Sequence, residues 1–391
     1  MDWNTKTAAN VKAIKPSGIR KFFDIAAQVK GVLSLSIGEP DFAAPDKVLA
    51  AMKASLDAKE TSYTGNSGMM ELREAISQHF EKHYGVHYDP KDEILVTVGV
   101  SEGLAMALLA ITEPGDEVII PDPAYVAYPA SVELAGGTPV FVPTYPEHDF
   151  KLTVEALEKV ITPKTKAIVI GYPNNPTGTV MSAEELMPIA KFAEEHDLIV
   201  LSDEIYCELM YGDAKFTSFA KLPGMRERTV IFNGFSKAYA MTGMRLGYVC
   251  APREGLAPIL KLHQYAIMCA NTTAQVGGIT ALKECDDDVE AMRQEYDRRR
   301  KVIYKGLCDM GLPVFEPKGA FYIFPDIRCT GMTSAEFCEK LVQEEKVAVV
   351  PGTAFGAQGE GFVRISYAAS MDTIQEALKR MARFVEKYRS C

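Results

Sequence analysis

Residues 167–206 read AIVIGYPNNPTGTVMSAEELMPIAKFAEEHDLIVLSDEIY. The runs AIVI (167–170) and LIVL (198–201) are short, continuously apolar and rich in β-branched residues, the signature of strands buried on both faces. Between them Ser182 stands as N-cap before a helical pattern over 183–196. Strand, helix, strand is a parallel crossover unit. The same alternation extends both ways along the chain. Upstream, strands are expected at 93–98 (EILVTV), 117–120 (EVII) and 138–142 (TPVFV), with helices at 102–111, 125–135 and 153–160. Downstream, strands are expected at 229–232 (TVIF) and 245–250 (RLGYVC). The expectation is an α/β protein whose large domain, residues 45–285, holds a mainly parallel sheet flanked by helices.

The remainder reads differently. A long charged helix over 289–311 leads into strands at 320–324, 347–350 and 362–367, with helices at 334–345 and 371–387. This predicts a smaller α+β domain over 286–391, with residues 1–44 packing beside it. The triplet Arg298-Arg299-Arg300 reads as a solvated helix face because acidic residues flank it.

With 391 residues the chain is long enough to bury a core without disulfide or metal staples. Its 42 basic and 52 acidic residues give a net charge of −10, which argues against nucleic-acid or anionic-membrane partners. The longest apolar run, residues 104–111, is far short of the ~20 residues that span a bilayer. The first residues, MDWNTK, lack the apolar stretch of a signal peptide, so a cytoplasmic protein is expected. The 8 cysteines include no CxxC pair and read as scattered reduced thiols. His79, His83 and His87 have helical spacing, but Gly85 interrupts before His87. They read as a solvated helix end, and no metal site is expected.

Four segments place polar residues just after buried strands, where ligands bind in open α/β sheets. Gly99-Val100-Ser101-Glu102-Gly103 offers helix N-terminal amides and a hydroxyl to an anion, although helix capping explains Ser101 equally well. Residues 172–178 (YPNNPTG) form a loop stiffened by two prolines. Asp203 follows a buried run, and a carboxylate there needs a partner such as a cationic ring nitrogen. Tyr206, three residues on, can reach the same ligand. Residues 233–247 (NGFSKAYAMTGMRLG) put Lys237 directly after a strand, in the partly desolvated setting of a Schiff-base lysine, with Arg245 able to grip a phosphate.

The last segment resembles the lysine signature of class I aminotransferases, fold type I pyridoxal-phosphate enzymes, at every signature position. Residues 174–178 resemble the family's asparagine loop, and residues 38–42 (GEPDF) resemble an N-terminal motif of prokaryotic aspartate and aromatic aminotransferases. The likeness runs in order over nearly the whole chain. It implies a transaminase that moves an amino group from an L-amino acid, aromatic or broad in choice, to a 2-oxo acid such as 2-oxoglutarate. It implies that Lys237 carries pyridoxal 5'-phosphate and acts as base and acid. Asp203 is implied to hold the ring nitrogen's proton, and Asn175 and Tyr206 the ring oxygen. Arg245, Ser236, Ser101 and the Val100 amide are implied at the phosphate. Arg364, Asn175 and backbone near Gly38 are implied at the substrate carboxylate. Tyr63 is implied to reach the phosphate of the other subunit of a homodimer with shared active sites; a core aromatic is the alternative reading of it. Tyr125 stands where relatives often carry a stacking tryptophan, and its ring still offers a π face. Aspartate or diaminopimelate-derivative transamination and carbon–sulfur β-elimination keep the same core residues. A nicotinamide dehydrogenase does not fit, because no GxGxxG follows an early strand.

Overall fold

The computed structural model describes residues 1–14, 18 and 29–389. The strands are β1 (Leu33–Ser34), β2 (Ile94–Thr97), β3 (Glu117–Asp122), β4 (Thr138–Pro143), β5 (Thr165–Ile170), β6 (Ile199–Asp203), β7 (Thr229–Gly234) and β8 (Gly247–Cys250), then β9 (Tyr322–Ile323), β10 (Val347–Ala348), β11 (Val350–Pro351) and β12 (Val363–Ser366). The helices are α1 (Ala9–Ala13), α2 (Asp46–Asp57), α3 (Met70–Tyr84), α4 (Gly99–Ile111), α5 (Ala127–Leu134) and α6 (Val154–Glu158). They continue with α7 (Ala183–Glu195), α8 (Arg253–Ala266), α9 (Thr272–Glu284), α10 (Asp286–Asp309), α11 (Ser334–Glu345) and α12 (Met371–Tyr388).

Seven strands form the main sheet in the order β2-β8-β7-β6-β5-β3-β4. Pairing is parallel from β4 through β7, and β8 runs antiparallel to both β7 and β2. All residues of β2, β7 and β8 are buried, as expected of a sheet covered on both faces. Edge strand β4 departs from that expectation: Thr138 and Phe141 are exposed. Two apolar clusters line the faces of the sheet, one centred on Leu104, Leu108 and Phe232, the other on Ile168, Ile189 and Val200.

The three-stranded sheet β11-β12-β9 is antiparallel, and β1 pairs in parallel with β10. The segment 347–350, expected as one strand, is split between β10 and β11, which pair with different partners. The 245–250 strand begins only at Gly247, because Arg245 takes a left-handed conformation with φ 51°. Of the basic triplet on α10 only Arg298 is exposed as expected. Arg299 and Arg300 are buried, at 6% and 3% exposure. Arg299 pairs with Asp41 at 2.7 Å and Glu295 at 2.8 Å, and Arg300 with Glu316 at 2.6 Å and Asp297 at 2.7 Å, so acids distant in sequence join those on the helix in supplying the charges that burial demands. Among the described residues no helix is long and apolar enough to cross a membrane. Cys207, Cys250, Cys285 and Cys338 are buried free thiols, and Cys391 lies outside the described residues.

Ser182 caps α7 in a full capping box: its side chain accepts from the Glu185 amide, and the Glu185 carboxylate accepts from the Ser182 amide. Ser182→Ala should cost about 1 kcal/mol, read as a lower thermal midpoint with unchanged turnover. An unchanged midpoint would show that tertiary packing alone fixes the start of this helix.

Candidate active site

Because β8 is antiparallel to both neighbours, its amino end meets the carboxyl ends of β2, β5, β6 and β7 at one edge of the sheet. A cavity of about 800 Å³ opens there. Its walls include Gly38, Val100, Ser101, Tyr125, Asn175, Asp203, Tyr206, Ser236, Lys237, Arg245 and Arg364. Of the residues singled out in the sequence, Tyr63 alone lies elsewhere. It is 80% exposed, so it is not a core aromatic.

At one end of the cavity is the first turn of α4, whose N-cap residue, Val98, provides no capping side chain. Ser101 sits inside the helix, so capping does not account for it. Gly99 has φ +73°, and a Cβ on it would lie 2.8 Å from Arg245 Nη2. A Cβ on Gly247 would lie 2.8 Å from the Val100 amide nitrogen. Only glycine at both positions lets the guanidinium and the start of β8 lie against the open helix end. Arg245 Nη1 donates to the Thr242 carbonyl at 2.9 Å. An uncapped helix N-terminus beside an arginine suits a phosphate.

Lys237 follows β7 and donates from Nζ to the Gly38 carbonyl at 2.7 Å. Burial first, then the nearby Arg364 charge, lowers its amine to about 8 from 10.5. Asp203 ends β6 and is buried. Its Oδ2 accepts from the Tyr128 hydroxyl at 2.8 Å and its Oδ1 from the Ile205 amide at 3.2 Å. Burial holds this carboxyl above the usual range despite those bonds, so a cation set against it would favour its charged form. Tyr206 shares a hydrogen bond with Tyr322 at 2.8 Å between hydroxyls. Burial raises both phenols, which keeps them hydrogen-bond donors at neutral pH.

Arg364 rises from β12 on the far wall. It is 2% exposed. Nη1 donates to Asn175 Oδ1 at 3.0 Å and Nη2 to the Ser36 carbonyl at 2.7 Å. Its guanidinium lies 4.6 Å from the Tyr322 ring centre and 4.8 Å from that of Phe355. Its Nε is buried without a partner, and no carboxylate pairs with it among the described residues. A buried cation so held calls for an anionic ligand.

The cavity thus has a phosphate cradle, an amine of lowered basicity, a buried acid awaiting a cation and a guanidinium awaiting a carboxylate. That combination suits a planar, phosphorylated, carbonyl-bearing cofactor and an amino-acid substrate. The chain belongs to the aminotransferase class I and II family, whose model matches residues 30–381. It is 47% identical to an aromatic-amino-acid aminotransferase of Thermococcus litoralis, over 96% of this chain and 97% of that one. It is 50% identical to an aspartate aminotransferase of Pyrococcus abyssi over the same shares of the two chains. Among solved structures, an aromatic aminotransferase from Pyrococcus horikoshii superposes with a TM-score of 0.90 at 49% identity, covering 94% of this chain and 99% of that one. Aminotransferases of this family use pyridoxal phosphate, and this chain is such an enzyme. The unpartnered Arg364 Nε, the uncapped start of α4 and the buried Asp203 fit that cofactor and its amino-acid substrates.

Tyr128 and Tyr322 were not singled out as site residues in the sequence. Tyr125 lies in the loop before α5 and Tyr128 in its first turn, where their ring centres stand 5.6 Å apart edge to face. Tyr322 lies in the apolar run 320–324, where alternation alone does not tell a core ring from a cavity wall.

In cofactor-free protein, labelling of Lys237 by an amine-directed reagent should titrate with a midpoint near the lowered value of about 8, the neutral amine dominating above it. A midpoint near 10.5, the ordinary lysine value, would show that the cavity does not desolvate this amine.

Proposed function

We propose that the enzyme transfers the amino group of an aromatic L-amino acid, within a broad range of donors, to a 2-oxo acid such as 2-oxoglutarate. One observation carries the substrate choice. The cations on the cavity wall are Lys237, Arg245 and Arg364. Lys237 and Arg245 would hold the cofactor and Arg364 the substrate α-carboxylate. Among the described residues no further cavity cation remains for a side-chain carboxylate, whereas Tyr125, Tyr322 and Val126 offer apolar surface. Specificity for a dicarboxylate would need that second cation.

Bound pyridoxal phosphate supplies an electron sink for the pair left on substrate Cα when its proton departs. The chain's own residues do the rest. Arg364 grips the substrate α-carboxylate in bidentate fashion, with Asn175 fixing the guanidinium from the side. Lys237 Nζ would serve as the base that takes the Cα proton and as the acid that gives it back. Its lowered basicity keeps a neutral fraction available at physiological pH. Asp203, steadied by Tyr128, would hold a proton on the ring nitrogen. Tyr206 would donate to the ring oxygen, and Tyr125 would offer its face to the ring. Arg245, Ser236, Ser101 and the Val100 amide would hold the phosphate. The large domain is taken as residues 45–285 and the small one as 286–391, with 1–44 joined to the latter; the pairing of β1 with β10 supports that last division.

The same reading makes the enzyme a homodimer with shared sites. Tyr63 and Tyr265 are 80% and 90% exposed, with Ile267 and Met268 also exposed nearby in sequence. The two segments are tied together by the Asn66 side chain donating to the Met268 carbonyl at 2.9 Å. A partner covering this apolar surface would receive Tyr63 at its phosphate.

Two experiments test these points. A panel of amino donors against 2-oxoglutarate should give higher kcat/KM for phenylalanine and tyrosine than for aspartate. A preference for aspartate, or release of pyruvate and ammonia from β-substituted donors, would overturn the substrate choice. Separately, mixing Lys237→Ala chains with Tyr63→Ala chains should restore activity, because one site of each mixed dimer regains both residues. No recovery in a verified heterodimer would refute shared sites.

A further inference from the structure

The helical histidines behave differently in the fold than in the sequence. His87 lies beyond the left-handed Gly85 that ends α3 and bonds Glu81 instead, Nδ1 to Oε2 at 3.2 Å. His79, expected to be solvated, is 8% exposed. His79 and His83 stack with ring centres 4.2 Å apart. The first residue of α10, Asp286, joins them: one candidate ligand atom from each of the three lies within 4.8 Å of the others. It is the one such cluster among the described residues.

We propose that His79, His83 and Asp286 form a binding site for a divalent transition-metal ion of the zinc class, separate from the transamination cavity. Two imidazoles and one carboxylate are a donor set for such an ion, with water completing a tetrahedron. Ligand bonds of about 2.0–2.2 Å require the three atoms to draw closer than they stand. His83 and Asp286 are exposed and free to do so. The support behind His79 is already built. Its Nε2 bonds Glu208 Oε1 at 3.1 Å, and the Tyr84 hydroxyl bonds the same carboxylate oxygen. A metal-ligating imidazole ordinarily gives its other N–H to such a carboxylate, which fixes its tautomer and leaves Nδ1 for the ion. The competing partner of Asp286 is Lys82, at 3.1 Å, and that pair is exposed at both ends, hence weak.

The position gives the site a consequence. It joins the end of α3 to the start of α10, and through Glu208 it reaches the loop after β6 that also bears Tyr206 and follows Asp203. An ion bound there staples those three elements and stabilises the fold by mass action.

The test is calorimetric titration of the holoenzyme with Zn(II), repeated on His83→Ala, Asp286→Asn and His87→Ala chains. The parent and His87→Ala should bind one Zn(II) per chain with the same affinity. His83→Ala and Asp286→Asn should each bind about tenfold or more weakly. The thermal midpoint should rise with Zn(II) only in the first two. No binding by the parent, unchanged affinity in either His83→Ala or Asp286→Asn, or an equal loss in His87→Ala would overturn the proposal. All three substituted residues are exposed and outside the cavity, so transamination without added zinc should match the parent and report that the chains are folded.

Discussion

A guanidinium buried without a counter-charge is the constraint on which the site depends. Arg364 comes from β12, its hydrogen-bond partners from the loop after β5 and from the segment just after β1. One side chain therefore ties together the three parts of the chain that enclose the cavity. Carbonyl and amide oxygens satisfy two of its nitrogens, and the rings of Tyr322 and Phe355 flank it. None of these neutralises it. Desolvation makes the charged form costly, which lowers its basicity and leaves a strong attraction for a carboxylate entering the cavity.

The same logic runs across the cavity with opposite sign. Asp203 is buried with a hydroxyl and an amide for company, so a cation set against it would favour its charged form. Lys237 lies between the two, near enough to Arg364 for that charge to depress its amine further. The sheet makes this arrangement possible. Strands buried on both faces hold their ends rigidly, and the reversal at β8 adds Arg245 to the edge where β2, β6 and β7 end.

Much of this was legible in the sequence because local signals carried it. Short apolar runs marked the strands, and a polar residue directly after such a run marked Asp203 and Lys237. Helices α2, α8 and α9 gave no equally plain signal beside them, and they cover the sheet without contributing expected site residues. What sequence could not show were pairings made across long separations. Arg299 and Arg300 sit among acidic neighbours and read as solvated, yet Asp41 and Glu316 draw them inward. His79 is buried because Glu208 reaches it from another element. Tyr128 acts on the site through Asp203, not through any motif of its own. Arg364 was found by family resemblance, since nothing in its local run announces a buried cation without a partner.

The most direct measurement compares Arg364→Leu with the parent on two substrates, phenylalanine and the amine that lacks its carboxylate. If the buried guanidinium exists to receive the α-carboxylate, kcat/KM for phenylalanine should fall by on the order of 100-fold, the cost of removing one partner of a buried charge pair, while the amine is processed no worse than before. Equal losses on both substrates, or no loss on phenylalanine, would contradict the account.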